Sequence, residues 1–137
     1  MPFRYLRDPL FLFCVALYFV NRFVFKSFIH SGFLGAFAHD SLNDVLCIPF
    51  WTPIMVWTMR KLKWRTSDAA PQGMEIVLPL ILWSWLFELI LPNLRPFQRL
   101  AICDPNDILC YTAGAFFAAI FWQYYYAAPK IKRNDTP

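Results

Sequence analysis

Acidic residues at two matching points of the chain have the type and spacing to do chemistry. Residues 41–47 read Ser-Leu-Asn-Asp-Val-Leu-Cys, and residues 104–110 read Asp-Pro-Asn-Asp-Ile-Leu-Cys. Each copy leads from a polar stretch into an apolar run and places a carboxylate, Asp44 or Asp107, near its start. Because ionisable groups are costly inside a membrane, such residues are candidates for a functional site.

The repeated motif also has a purely structural interpretation as two helix starts. Asp104 would be the N-cap and Pro105 the first helical residue of one helix, and Ser41 holds the same offset in the other copy. Side-chain oxygens at these positions accept free N–H groups of the first turn, and negative charge favours the helix dipole. The sequence leaves both interpretations open.

Glu88 favours the functional interpretation because helix capping does not explain it. It stands in the apolar segment 81–91, where a carboxylate facing lipid would cost at least a few kcal/mol. We therefore expect Glu88 to face the interior of a helix bundle and to find a partner there. Arg22, Arg95 and Arg99 are the candidate partners.

Helical spacing groups further polar residues with these carboxylates. His39, Asn43 and Cys47 recur at i, i+4 and i+8, which predicts one helix face. Asp107 and Tyr111 are likewise one turn apart. These patterns predict an outward-facing polar pocket whose ligand-binding residues come from all the helices: Glu88, Asp107, Asp44, Asn43, Arg22, Arg95, Arg99, Tyr111, His39 and Asp104.

Composition identifies the elements that must position this pocket. The 137 residues are 58% hydrophobic and 20% aromatic, with 16% charged residues where a soluble domain has about 25%. Because about 20 helical residues cross the hydrocarbon core, apolar runs near 9–28, 42–59, 75–91 and 106–126 predict membrane helices. The predicted fold is an all-α, polytopic, four-helix transmembrane bundle in one domain (1–137), with two halves that could be parallel two-helix repeats.

Basic residues predict the orientation of this bundle. Most Lys and Arg residues lie in the N-terminal segment, in the loop 60–74 and in the C-terminal tail. The positive-inside rule places these three regions in the cytoplasm and the repeated motifs on the outer side. Outside the apolar runs, no basic stripe with interleaved aromatic residues indicates a nucleic-acid partner.

The chemistry of the ligand stays open at this level. Arginines and helix N-termini suit an anionic lipid headgroup or an envelope glycan. No cofactor and no metal is assigned, although the carboxylates would accept a divalent cation. Ser41 and Cys103 lack any nucleophile motif, so we lean away from an enzyme. Membrane lipids are the expected partners, together with further copies of the chain in a homo-oligomer.

The second half resembles the VanZ-like family of small bacterial membrane proteins. The family pattern is a Glu near a helix end, an Arg-bearing loop, and then an Asp and a Gly that open the next helix. Glu88, Asp107 and Gly114 match this pattern, Arg95 or Arg99 supplies the arginine, and Tyr111 replaces the family's Asn. The resemblance implies a helical bundle in the bacterial cytoplasmic membrane with an outward polar site related to the cell envelope.

Four functional hypotheses follow from these observations. The first is a protein that binds an envelope lipid or glycan headgroup. The second is a small transporter or channel for an ion or organic anion, the third is a membrane enzyme acting on lipid-linked phosphate, and the fourth is an accessory subunit of a larger complex.

Overall fold

The protein is all-helical throughout the part that its computed structural model describes, as the sequence predicted. The description covers residues 1–28, 31–94 and 105–127, without the side chains of Leu34, His39 and Asp40. The α-helices in these ranges are α1 (Pro9–Val20), α2 (Lys26–Phe28), α3 (Gly32–Asp40), α4 (Leu42–Lys61), α5 (Gly73–Trp85) and α6 (Pro105–Tyr126). Short 3-10 turns at Tyr5–Arg7 and Leu91–Asn93 and π-helical turns at Asn21–Phe25 and Leu86–Ile90 extend them.

Two continuous helical segments are long and apolar enough to cross a membrane. They are Pro9–Phe28, with 20 residues, and Gly73–Asn93, with 21 residues. Both coincide with predicted spans. By length and composition, they favour association with a membrane.

A π-helical turn interrupts each of these two segments, which the sequence did not predict. The turn at Asn21–Phe25 begins at a fully buried asparagine. The side-chain amide of Asn21 donates to the carbonyl of Ala38 and to Oδ1 of Asn43, both at 3.0 Å. These polar contacts fix the wide turn against neighbouring helices, and π turns are frequent at functional sites.

The helix α3 is a second feature that the sequence analysis missed. It ends at Asp40, and the next residue, Ser41, has a φ of −120° and a ψ of −25° that break the helix before α4 begins. The predicted alignment of His39 with Asn43 and Cys47 on one helix face is therefore wrong. The i, i+4 spacing applies only within one continuous helix, and these residues belong to two.

The helix α4 lies at the centre of the described fold and packs against α1, α3, α5 and α6. Its most extensive contact is with α6, in which Gly114, Ala115 and Ala118 are buried. A Cβ atom at position 114 would overlap the backbone carbonyl oxygen of Val45 and lie 3.3 Å from Cδ of Pro49. The absent side chain thus permits the close approach of the two backbones, a common device in membrane helix pairs.

The N-terminal segment, the loop after α4 and the last turn of α6 meet at one end of the fold. The N–H of Phe3 donates to the carbonyl of Asp68 at 2.7 Å. The side chains of Trp122 and Tyr126 both donate to Asp8. The starts of α4 and α6 and the end of α5 therefore lie at the opposite end, where the predicted pocket belongs.

Candidate functional site

Glu88 is buried, with 5% of its surface exposed, in agreement with the expectation that it faces the interior. It lies in the π-helical turn Leu86–Ile90 that follows α5. The extra residue in such a turn rotates the following side chains relative to a regular helix. The local geometry thus directs a carboxylate inward from an otherwise apolar segment.

Tyr111 is a buried tyrosine at the end of the fold that holds the predicted carboxylates. It is 4% exposed and stands one turn after Asp107 on α6. The charges of Asp44, Asp107 and Glu88 all act on its hydroxyl group, as does the thiol of Cys47. Asp44 on α4, Glu88 after α5 and Asp107 on α6 therefore lie at the same end of the fold as this phenol, and their convergence on one ligand pocket stays a prediction.

Asn43 lines a different cavity, which lies between α1, α4 and the end of α5. Its Oδ1 accepts the amide of Asn21, and the cavity has a volume of about 460 Å³. The remaining lining is largely apolar: Cys14, Tyr18, Leu46, Cys47, Phe50, Trp51 and Phe87. Asn43 supplies the amide of this lining, near the start of α4.

A second cavity, of about 500 Å³, contains Glu88 itself. It lies between α5 and α6, and we call it the α5–α6 groove. Its polar lining residues are Glu88, Ser84 and Thr112, and its other walls are Leu80, Ile81, Trp85, Leu89, Pro105 and Ile108. A carboxylate and two hydroxyl groups in an apolar cleft of this size suit an amphiphilic ligand.

Other predicted site residues take different positions. Arg22 is exposed in the first π-helical turn, and among the described residues it forms no ion pair with a carboxylate. The side chain of His39 lies outside the described structure, as do Arg95, Arg99 and Asp104 in full. The arginine partner predicted for Glu88 therefore stays a prediction.

The capping interpretation holds for one residue and fails for another. Pro105 is the first residue of α6, as predicted. Ser41 makes no side-chain capping bond at the start of α4, so that prediction is wrong. Because α3 runs almost directly into α4, the N–H of Ser41 bonds to the carbonyl of Phe37 and its own carbonyl accepts from Asp44 and Val45.

Asp8 is a buried carboxylate that the sequence analysis overlooked. It has no exposed surface and accepts from Phe11 N at 3.0 Å, Trp122 Nε1 at 3.1 Å and Tyr126 OH at 2.7 Å. The signal was available, because Asp8-Pro9 is the same pairing of N-cap and first-turn proline that was noted at Asp104-Pro105. Asp8 joins α1 to α6 and is a structural residue.

Arg65 organises the loop between α4 and α5 and was counted only as a topology signal. It is 7% exposed, and Nη2 lies 3.1 Å from Oε2 of Glu75. Burial acts to lower its pKa, but the bonds to Glu75 and Tyr5 outweigh burial and raise the pKa of Arg65. The hydroxyl of Tyr5 donates to Asp68 and accepts from Nη1 of Arg65, and these bonds complete a network that fixes the loop.

The described residues define an all-helical fold with two apolar helical segments, and one end of it holds the buried Glu88 and the partly exposed Asp44 and Asp107. Of the described residues, no group of three or more His, Cys, Asp or Glu side chains could hold a metal ion. No model of a known protein family, no curated protein and no solved structure matches the chain.

Proposed function

We propose that the chain is a four-span membrane protein. The two apolar segments supply two spans, and α4 with 20 residues and α6 with 22 residues supply the others. At 1.5 Å per residue both reach about 30 Å, the thickness of the hydrocarbon core. The central helix α4 contacts protein on most sides, which explains why its sequence is less apolar than that of a helix exposed to lipid.

We place this protein in the bacterial cytoplasmic membrane with the loop after α4 and both chain ends in the cytoplasm. Basic residues concentrate in these regions. The hydrogen bonds of Phe3 and Asp8 hold the N-terminal segment beside that loop and the last turn of α6. This proximity is what a location of all three regions on the same side of the membrane requires. In this orientation Glu88, Asp44 and Asp107 lie toward the outer leaflet.

The function that the geometry supports best is binding of the polar headgroup of an envelope lipid or lipid-linked glycan. The observation that carries this proposal is the burial of Glu88 in an otherwise apolar helical segment, where it lines the cavity between α5 and α6. Buried ionisable groups at such depth mark ligand sites in membrane proteins. The resemblance to the VanZ-like family, through Glu88, Asp107 and Gly114, points in the same direction.

The lipid that stays bound through purification tests this proposal. The protein and the variants Glu88→Gln and Asp107→Asn are purified from membranes in mild detergent, and bound lipid is counted by native mass spectrometry. Asp68→Asn is the matched control, because Asp68 is a carboxylate at the opposite, exposed end. We expect both site variants to insert normally but to lose most of the bound lipid, while the control keeps it.

Two results would contradict the proposal. One is the same bound lipid in Glu88→Gln as in the unmodified protein, which would remove the carboxylate from any role in binding. The other is labelling of a cysteine placed at position 88 only from the cytoplasmic side, which would invert the assigned orientation.

A further inference from the structure

The polar groups of the α5–α6 groove differ in how their hydrogen bonds are satisfied. The hydroxyl of Thr112 donates to the carbonyl of Ile108 at 2.8 Å, within its own helix. The Oγ atom of Ser84 is buried and has no hydrogen-bond partner among the described residues. Buried hydroxyl groups are rarely left unpaired. The hydroxyl of Ser84 can therefore take a ligand as its hydrogen-bond partner, whereas the hydroxyl of Thr112 already has a partner in its own helix.

Ser84 and Glu88 both line the groove from the helical segment that contains α5. Ser84 is in the last turn of α5, and Glu88 is in the π-helical turn that follows. A carboxylate accepts hydrogen bonds and a serine hydroxyl both donates and accepts. The pair therefore recognises a group that carries N–H or O–H donors.

The walls around this pair are open toward the lipid phase. Ile81, Trp85 and Leu89 are between 57% and 59% exposed and lie along the groove. In a membrane these side chains contact acyl chains. A lipid can therefore enter sideways, with its headgroup at Glu88 and its chains against the apolar walls.

We infer that the α5–α6 groove selects membrane lipids whose headgroups carry hydrogen-bond donors, and that Ser84 is a specificity-determining residue. This inference rests on the proposed function and names the ligand class of the same site. Primary ammonium and glycerol headgroups carry such donors. The trimethylated ammonium of choline carries none, although its lipid has the same net charge as the ethanolamine lipid.

The test compares three phospholipids with identical acyl chains and ethanolamine, glycerol or choline headgroups. The delipidated protein is incubated with equimolar mixtures in detergent, and each bound lipid is counted by native mass spectrometry. We expect the ethanolamine or the glycerol lipid to bind about tenfold more than the choline lipid, the size of effect that one or two hydrogen bonds give. Stronger binding of the ethanolamine lipid would identify an ammonium group as the recognised donor, and stronger binding of the glycerol lipid would identify a hydroxyl group.

The matched variants are Ser84→Ala and Thr112→Ala, since both remove one hydroxyl from the same groove. Ser84→Ala should reduce the preference to about threefold or less, whereas Thr112→Ala should leave it unchanged. Equal binding of the choline and ethanolamine lipids, or equal effects of the two variants, would overturn the inference.

The same measurement separates this inference from the proposed function. Unselective binding that disappears in Glu88→Gln would overturn donor selection and leave headgroup binding intact. Binding that is the same in Glu88→Gln and in the unmodified protein would overturn both.

Discussion

Replacement of Gly114 by alanine should force apart α4 and α6, the helices that carry Asp44 and Asp107. The new Cβ atom would overlap the carbonyl oxygen of Val45 and would also meet Cδ of Pro49 at 3.3 Å. A backbone carbonyl cannot rotate away as the end of a flexible side chain can. The α6 helix must therefore shift against α4, and overpacking of this kind costs about 1–3 kcal/mol or more.

Gly73→Ala is the matched control for this substitution. It makes the same chemical change at the first residue of α5, where a Cβ atom meets nothing within 4 Å. Thermal unfolding of both variants in the same detergent measures the difference. Since 1 kcal/mol shifts a midpoint by roughly 2–8 °C, we expect Gly114→Ala to unfold several degrees lower and Gly73→Ala to be unchanged or slightly more stable. Equal midpoints for the two variants would refute the close contact between α4 and α6.

Two further predictions concern the opposite end of the fold. Asp8→Asn should lower the unfolding free energy by about 1–3 kcal/mol, because an amide cannot accept all the donors of Phe11, Trp122 and Tyr126; a thermal midpoint equal to that of Asp68→Asn would count against this role. The hydroxyl of Tyr5 and the guanidinium of Arg60 hold the pKa of Asp68 below its ordinary value of 3.8. The stability that ionised Asp68 contributes is therefore complete above pH 3.8. It is lost as the pH falls through the lowered pKa of the folded protein. The stability difference between the protein and Asp68→Asn should therefore shrink as the pH is lowered from about 6 toward 3, and a difference that stays constant down to about pH 2 would contradict this network.

Several parts of the fold were predictable because they depend on local composition. Continuous apolar runs gave the positions of the helices within a few residues, and Pro105 correctly marked the start of α6. Glu88 could be assigned to the interior because a carboxylate facing lipid is costly. Each of these inferences requires only the chemistry of a single segment.

The missed features depend on contacts between segments. The π-helical turn at Asn21 forms because its amide bonds to Ala38 and Asn43, 17 and 22 residues away. The helix α3 was overlooked because its short run of small and apolar residues lies between two longer apolar runs. Because α3 ends at Asp40, the four-residue spacing between His39 and Asn43 does not place them on one helix face.

The two ends of the fold also show why charge patterns alone were insufficient. Arg65 was counted as a signal of orientation, yet it is buried and paired with Glu75. Arg22 was one of three candidate partners of Glu88, with Arg95 and Arg99, and it is exposed in the described structure. Basic residues can set membrane orientation and also stabilise a loop, and only the three-dimensional contacts separate the two roles.

The number of lipid molecules that remain bound to purified Glu88→Gln protein tests the headgroup site most directly. The burial of Glu88 in the α5–α6 groove predicts a clear loss relative to the unmodified protein, while Asp68→Asn retains its lipid. Full retention in a folded Glu88→Gln variant would show that the buried carboxylate has no part in binding.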